Sequence, residues 1–117
     1  MKVTDKWVQK FVREVLPQIV RQYCPRQVVL FGSRARGTAK EESDLDIIVI
    51  SDRFEGTPFL KRMPALLRLV PLAKHIDYLC YTPEEFERLR GSSATVRAAL
   101  EEGVVLVEDG EPVVALD

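Results

Sequence analysis

Residues 30–51 read LFGSRARGTAKEESDLDIIVIS. The apolar run Val28 to Phe31 ends in Gly32-Ser33, with Arg34 and Arg36 just behind it. A polar loop, Thr38 to Ser43, leads to a second apolar run, Leu45 to Ser51, which opens with Asp44 and Asp46. Runs this short and this rich in β-branched residues read as strands. The second carries Ile47, Ile48, Val49 and Ile50 in series, so both its faces are expected to be covered and it should be central in its sheet. Gly32 stops the first strand, and a short helix is predicted from Ser33 to Arg36, closed by Gly37.

Outward from this stretch the same period analysis assigns the rest. Upstream, Trp7, Val8, Phe11, Val12, Val15, Leu16, Ile19, Val20 and Tyr23 recur at helical spacing. They predict a helix over 5–23, capped by Thr4 or Asp5 and kinked near Leu16 by Pro17. Downstream, Arg53 to Pro58 reads as a loop. Phe59 to Leu72 has helical spacing but is interrupted by Pro64 and Pro71, so a short helix beginning near Pro64 is expected. His75 to Tyr81 reads as a third strand. Thr82-Pro83-Glu84-Glu85 has the form of a capping box, opening a helix that ends at Gly91. A further helix from Ala94 to Glu102 stops at Gly103, and Val104 to Val107 is a fourth strand. Glu108-Asp109-Gly110 is a turn, and the tail carries no assignment.

Bulk properties narrow the classes. A chain of 117 residues has room for one hydrophobic core, and a single domain over 1–117 is expected. The net charge of −1 offers no global electrostatic attraction for nucleic acid or a membrane surface. No stretch is long and apolar enough to span a bilayer, and MKVTDKW is not a signal peptide, so a cytoplasmic location is expected. Cys24 and Cys80 lack metal-ligand spacing; a disulfide is one reading, and free thiols in a reducing cytosol is the reading preferred.

The chemistry concentrates at the glycine turn and the acids. Glycine lets the backbone approach a phosphate closely, the Ser33 hydroxyl adds a donor, and the guanidinium groups of Arg34 and Arg36 can fork onto phosphate oxygens. Asp44 and Asp46, at i and i+2 on a strand, point to one face with Cα atoms roughly 6–7 Å apart. Two carboxylates at that separation can share a metal site, and magnesium is commonly held by one or two carboxylates plus substrate phosphates. Asp77 sits mid-strand between apolar residues, a poor place for aspartate unless it has a partner. Placed on a neighbouring strand, it would crowd the other two acids, a repulsion that a divalent ion relieves.

Each part alone has an ordinary alternative. The Gly-Ser turn is a common strand-to-helix connection, and it lacks both the P-loop and the dinucleotide-fold patterns. Asp44 could cap the loop while Asp46 lies exposed at a strand end, and Asp77 could face solvent on an edge. His75, the single histidine, lies two residues before Asp77 and shares its face, but its default reading is an exposed or packing side chain.

Taken together, Gly32-Ser33, ten residues, then Asp44-x-Asp46 resembles the signature of the DNA polymerase β-like nucleotidyltransferase superfamily. Asp77 falls where that superfamily carries its third acid. The chain is most similar to the minimal nucleotidyltransferases, which consist of the catalytic domain alone. The resemblance implies an α/β (α+β) fold: a small mixed sheet of about four strands, packed by helices on one side. It implies Asp44, Asp46 and Asp77 as catalytic and metal-binding residues for two Mg2+ ions, with ATP as substrate. Gly32 and Ser33 would hold the β- and γ-phosphates, and Arg34 and Arg36 would offset charge on the departing pyrophosphate. The minimal members are typically paired with a small helical protein of the HEPN type as a toxin–antitoxin module. There the nucleotidyltransferase is the antitoxin and transfers AMP to a tyrosine of its partner. A homo- or hetero-oligomer fits such pairing. Two alternatives stand beside this: a non-catalytic ATP- or partner-binding module, and nucleotidyl transfer to a small molecule.

Overall fold

The computed structural model describes residues 2–116. Seven strands are present among them: β1 (Lys2–Val3), β2 (Gln27–Phe31), β3 (Leu45–Ile50), β4 (Ile76–Tyr81), β5 (Val104–Glu108), β6 (Glu111–Pro112) and β7 (Ala115–Leu116). The main sheet has the order β4-β3-β2-β5-β6, while β1 and β7 pair separately in parallel. Within the main sheet β3 and β4 are parallel and the other pairings antiparallel. The sheet is therefore mixed, as expected, and β3 is interior.

Two details of the expectation are corrected. The sheet has a fifth strand, the two-residue β6, taken from the unassigned tail. Helices also cover both faces rather than one. The reason lies in β3, which is apolar on both sides. Leu45, Ile47 and Val49 join a core with Phe11, Val15, Leu16, Ile19 and Leu66. Ile48 and Ile50 join a second core with Val29, Phe86, Val96 and Ala99. A single helical layer would have left one of these rows in water, at roughly 25 cal/mol per Å² of exposed apolar surface.

The first face is covered by the N-terminal helix and by α4 (Phe59–Leu69). The N-terminal helix runs as α1 (Lys6–Lys10), a π-helical segment (Phe11–Val15) and α2 (Leu16–Tyr23). Asp5 caps it, accepting from the N–H groups of Trp7 and Val8 at 2.9 and 3.1 Å. The kink expected at Pro17 takes the form of the π turn. Proline has no N–H to give, and the Leu16 N–H reaches back to the Phe11 carbonyl instead. The second face is covered by α5 (Pro83–Arg90) and α6 (Ala94–Glu102). Thr82 and Glu85 make the predicted capping box in full. The remaining helix, α3 (Ser33–Arg36), follows β2 directly.

The start of α4 departs from expectation. It begins at Phe59 rather than near Pro64, which lies inside the helix. Its first turn is anchored by Arg62, a buried residue that does not register as apolar in the sequence. Arg62 donates to the carbonyls of Thr57 and Cys80 and forks onto the Glu85 carboxylate. The rings of Phe54 and Phe59 flank its guanidinium at 5.7 and 5.8 Å. These contacts offset the helical hydrogen bond that Pro64 cannot give. Both cysteines are free thiols, Cys24 exposed and Cys80 buried. Among the described residues no helix is long and apolar enough to cross a membrane.

Candidate active site

Three strand ends build the site. In the sheet register Phe31 pairs with Asp46, and Asp46 pairs with Asp77. One row thus crosses β2, β3 and β4, with two carboxylates side by side. Neighbouring strands lie about 4.8 Å apart, so the two side chains rise from adjacent positions on one face. Asp44 precedes β3 by one residue and, two positions from Asp46, shares that face. One ligand atom each from Asp44, His75 and Asp77 falls within 4.8 Å of the other two. His75 Nε2 sits 2.8 Å from Asp77 Oδ1.

Gly32 ties the turn to the acids. It has φ +74°, and a Cβ built there would fall onto Asp46 Oδ2, with Asp46 Cγ 3.1 Å away. Any side chain at this position would displace the carboxylate, so the glycine serves both the backbone conformation and the close approach. Its carbonyl accepts from Ala35 and Arg36, which starts α3.

The electrostatics follow from this crowding. Burial, then the neighbouring Asp77 and Asp44, push the Asp46 carboxyl above its ordinary range; Arg36 and His75 oppose this. Arg36 is exposed and pairs with Glu102 at 3.2 Å, at the edge of the site. The converging oxygen donors, with one imidazole nitrogen, make a set that fits a divalent cation, whose charge would relieve the repulsion acting on Asp46.

Arg34 is placed differently from expectation. Its side chain is 5% exposed and pairs with Asp5 at 2.9 Å. Its remaining donors go to the carbonyls of Lys40, Glu41 and Ser43. The guanidinium is therefore occupied within the protein, and the direct phosphate contact expected of it is replaced by a positioning one. It locks the loop that delivers Asp44 onto the cap of α1. Trp7 and Lys74 also bond Glu41 in that loop. His75 is exposed, as its default reading has it, and joins the candidate set through its contact with Asp77 and its closeness to Asp44. Its spacing from Asp77 was the signal, but i, i+2 on a strand does not distinguish a partner from a bystander.

Comparison with known proteins identifies the family of the domain that carries this site. A family profile described as a nucleotidyltransferase domain matches residues 10–106. The chain belongs to the nucleotidyltransferase domain family. The match contains the glycine turn and all three aspartates of the row and its flank. Comparison of the sequence with curated proteins finds no match. Among solved structures, the chain is similar to a protein from Sulfolobus solfataricus provisionally assigned as a nucleotidyltransferase, at 20% identity and TM-score 0.63, covering 95% of this chain and 86% of that one. It is also similar to a toxin–antitoxin structure with AMP-PNP, at 21% identity and TM-score 0.56, covering 83% and 73%. At these identities the likeness concerns the fold. The α/β nucleotidyltransferase fold is thereby shared across nearly the whole of this chain.

Proposed function

We propose that this nucleotidyltransferase, acting as one catalytic domain over 1–117, is a magnesium-dependent protein adenylyltransferase. It would transfer AMP from ATP to a tyrosine of a HEPN-type helical partner, as the antitoxin of a pair in the cytoplasm. The observation that carries the reading is the register of Asp46 against Asp77, with Gly32 lying on Asp46. The solved relative described as a toxin–antitoxin with AMP-PNP supports both the nucleotide and the pairing.

In this reading Asp44, Asp46 and Asp77 hold two Mg2+ ions, with His75 beside them. Bound there, magnesium supplies charge neutralisation for the triphosphate and Lewis-acid activation of the acceptor hydroxyl. Gly32 and Ser33 hold the β- and γ-phosphates, and Arg36, exposed at the edge, faces charge developing on pyrophosphate. Asp77, paired with His75, takes the proton of the acceptor hydroxyl. The acceptor oxygen bonds to the α-phosphorus while the bond to the bridging oxygen breaks. Pyrophosphate leaves with that electron pair, and the product is the AMP ester.

The test is transfer of label from α-labelled ATP to a co-purified helical partner, with magnesium. Label on the partner that disappears with Asp46→Asn and with Asp77→Asn is the expected result. Undiminished labelling by both variants, or none by the wild type, would sink the proposal.

A further inference from the structure

The residues that can hold a cation come from two separate segments of chain. Asp44 ends the polar loop before β3, whereas His75 and Asp77 belong to the segment that enters β4. One ligand atom from each lies within 4.8 Å of the other two. Their convergence depends on how firmly the two segments are held to each other. On either side of Asp44 a hydrogen bond does this. After it, the Leu45 N–H donates to the His75 carbonyl at 3.1 Å. Before it, the ammonium of Lys74, the residue next to His75, donates to the Glu41 carbonyl. The first bond is backbone and belongs to the sheet. The second is made by a side chain and can be removed without touching the sheet.

Lys74 lies in the bend before β4, where a long flexible stem has to be ordered to make that bond. The Trp7 indole orders it. Lys74 Nζ sits 5.2 Å from the ring centroid, inside the range of a cation–π contact, and Lys10 shares the ring at 5.5 Å. Trp7 is itself fixed, since its ring packs against the first core and its Nε1–H donates to the Glu41 carboxylate at 3.3 Å. The Glu41 carbonyl also accepts from Arg34 at 3.1 Å. Two cations, one on α3 and one on the approach to β4, thus converge on one carbonyl. Lys40, Glu41 and Glu42 are exposed, and a polar loop with so little apolar burial relies on such ties to keep one conformation.

The arrangement works from behind the site. Trp7 packs with the core that holds Leu45 and Ile47, while the Asp46 side chain alternates onto the face of Ile48 and Ile50. With its ammonium committed on the Trp7 side, Lys74 acts on a cation only through Asp44.

We infer that Lys74 is a positioning residue for the cation site: seated on Trp7 and bonded to the Glu41 carbonyl, it fixes where Asp44 stands relative to His75 and Asp77. The inference rests on the cation-binding part of the reading above and adds a residue outside the site on which occupancy depends. By linkage the dependence runs both ways. If Lys74 at Glu41 favours the cation, the cation favours Lys74 at Glu41 and alters the surroundings of Trp7. Trp7 is the only tryptophan of the chain, so its emission reports that change.

Two measurements on the full chain test this. Mn2+, whose free form gives an electron-spin-resonance signal, probes occupancy. Lys74→Met keeps the stem and loses the donor; it should weaken Mn2+ binding about tenfold, the usual effect of losing a partner behind a metal ligand. Its melting temperature in chelator should move little, because the lost contacts are partly exposed. Lys74→Arg, which keeps a cationic donor over the ring, should recover most of the affinity. Separately, Mg2+ added to the wild type should shift Trp7 emission, and Asp44→Asn should abolish the shift. Wild-type Mn2+ affinity in Lys74→Met overturns the inference. So does a loss of affinity matched by an equal loss of stability in chelator, which would make Lys74 merely structural. Trp7 emission indifferent to saturating Mg2+, in a protein that binds Mn2+, overturns it as well. A wild type that binds neither ion overturns the cation-site reading and this inference with it.

Discussion

Asp46 on β3 and Asp77 on β4 are register partners across a parallel strand pair, so two carboxylates stand one strand spacing apart. Burial and the two neighbouring acids hold the Asp46 carboxyl above its ordinary range. The folded protein therefore binds that proton more tightly than the unfolded chain. Without a cation, stability should rise as pH falls through the raised value, with the gain complete below the ordinary carboxylate value. Asp46→Asn should remove this dependence and raise the melting temperature of the cation-free protein at neutral pH. Magnesium should stabilise the wild type and have little effect on the variant. A variant melting lower than the wild type in chelator would contradict the repulsion.

Gly32→Ala places a methyl group onto the Asp46 carboxylate and asks alanine to hold φ +74°. The expected cost is about 1–3 kcal/mol, from backbone strain alone. Denaturant titration measures it, and cation affinity should fall with it because Asp46 is pushed aside. Unchanged affinity would mean that Asp46 does not contribute to the cation site.

Arg34→Met removes one member of a mostly buried ion pair, leaves the Asp5 carboxylate without its cationic partner and takes a donor from the carbonyls of Lys40, Glu41 and Ser43. A loss of about 3 kcal/mol is expected in chemical denaturation. Arg34→Lys should recover only part of it, since an ammonium group cannot reach Asp5 and the loop carbonyls together. Full recovery by lysine would show that charge alone, without the fork, holds the loop.

Glu85 supplies an acid limb of opposite sign. Its hydrogen bond to Arg62 is the main cause holding its carboxyl below the ordinary range. That stabilisation is fully present above the ordinary glutamate value and is lost as pH falls through the lowered one. Glu85→Gln should flatten the stability profile in this acidic window and leave neutral-to-alkaline behaviour parallel to the wild type. Melting curves from pH 3 to pH 7, a range set by ordinary carboxylate values, check it.

The thiols should separate by accessibility. Burial pushes Cys80 up to about 12, whereas Cys24 is exposed at the end of α2. At mildly alkaline pH a thiol reagent should titrate Cys24 rapidly in the native protein and Cys80 only after denaturation. Equal rates for both would place Cys80 outside the core described above.

Much of the scaffold was legible because it depends on local periodicity. Val28 to Phe31 and Ile47 to Ile50 are too apolar and too short to be anything but buried strands. The Thr82 capping box reports its own helix start. The start of α4 was not legible. Its anchor, Arg62, is stabilised by carbonyls and a carboxylate distant in the chain, and no spacing rule announces them. The same holds for Arg34. Two arginines behind a Gly-Ser turn look alike in sequence, yet one is buried against Asp5 and the other lies exposed beside Glu102.

By itself, the order of residues picked out candidate side chains for a triphosphate and a cation, and the elements on which most of them ride. That information is local: strand alternation, a glycine stop, a pair of acids two apart. Only the tertiary structure decided that β4 lies parallel to β3 in a register setting Asp77 against Asp46. It alone put His75 within reach, turned Arg34 inward and brought Lys74 to the Glu41 carbonyl. Those outcomes depend on strand order and on which buried donors find acceptors. Both are settled by packing between segments far apart in the chain, where no short pattern reaches.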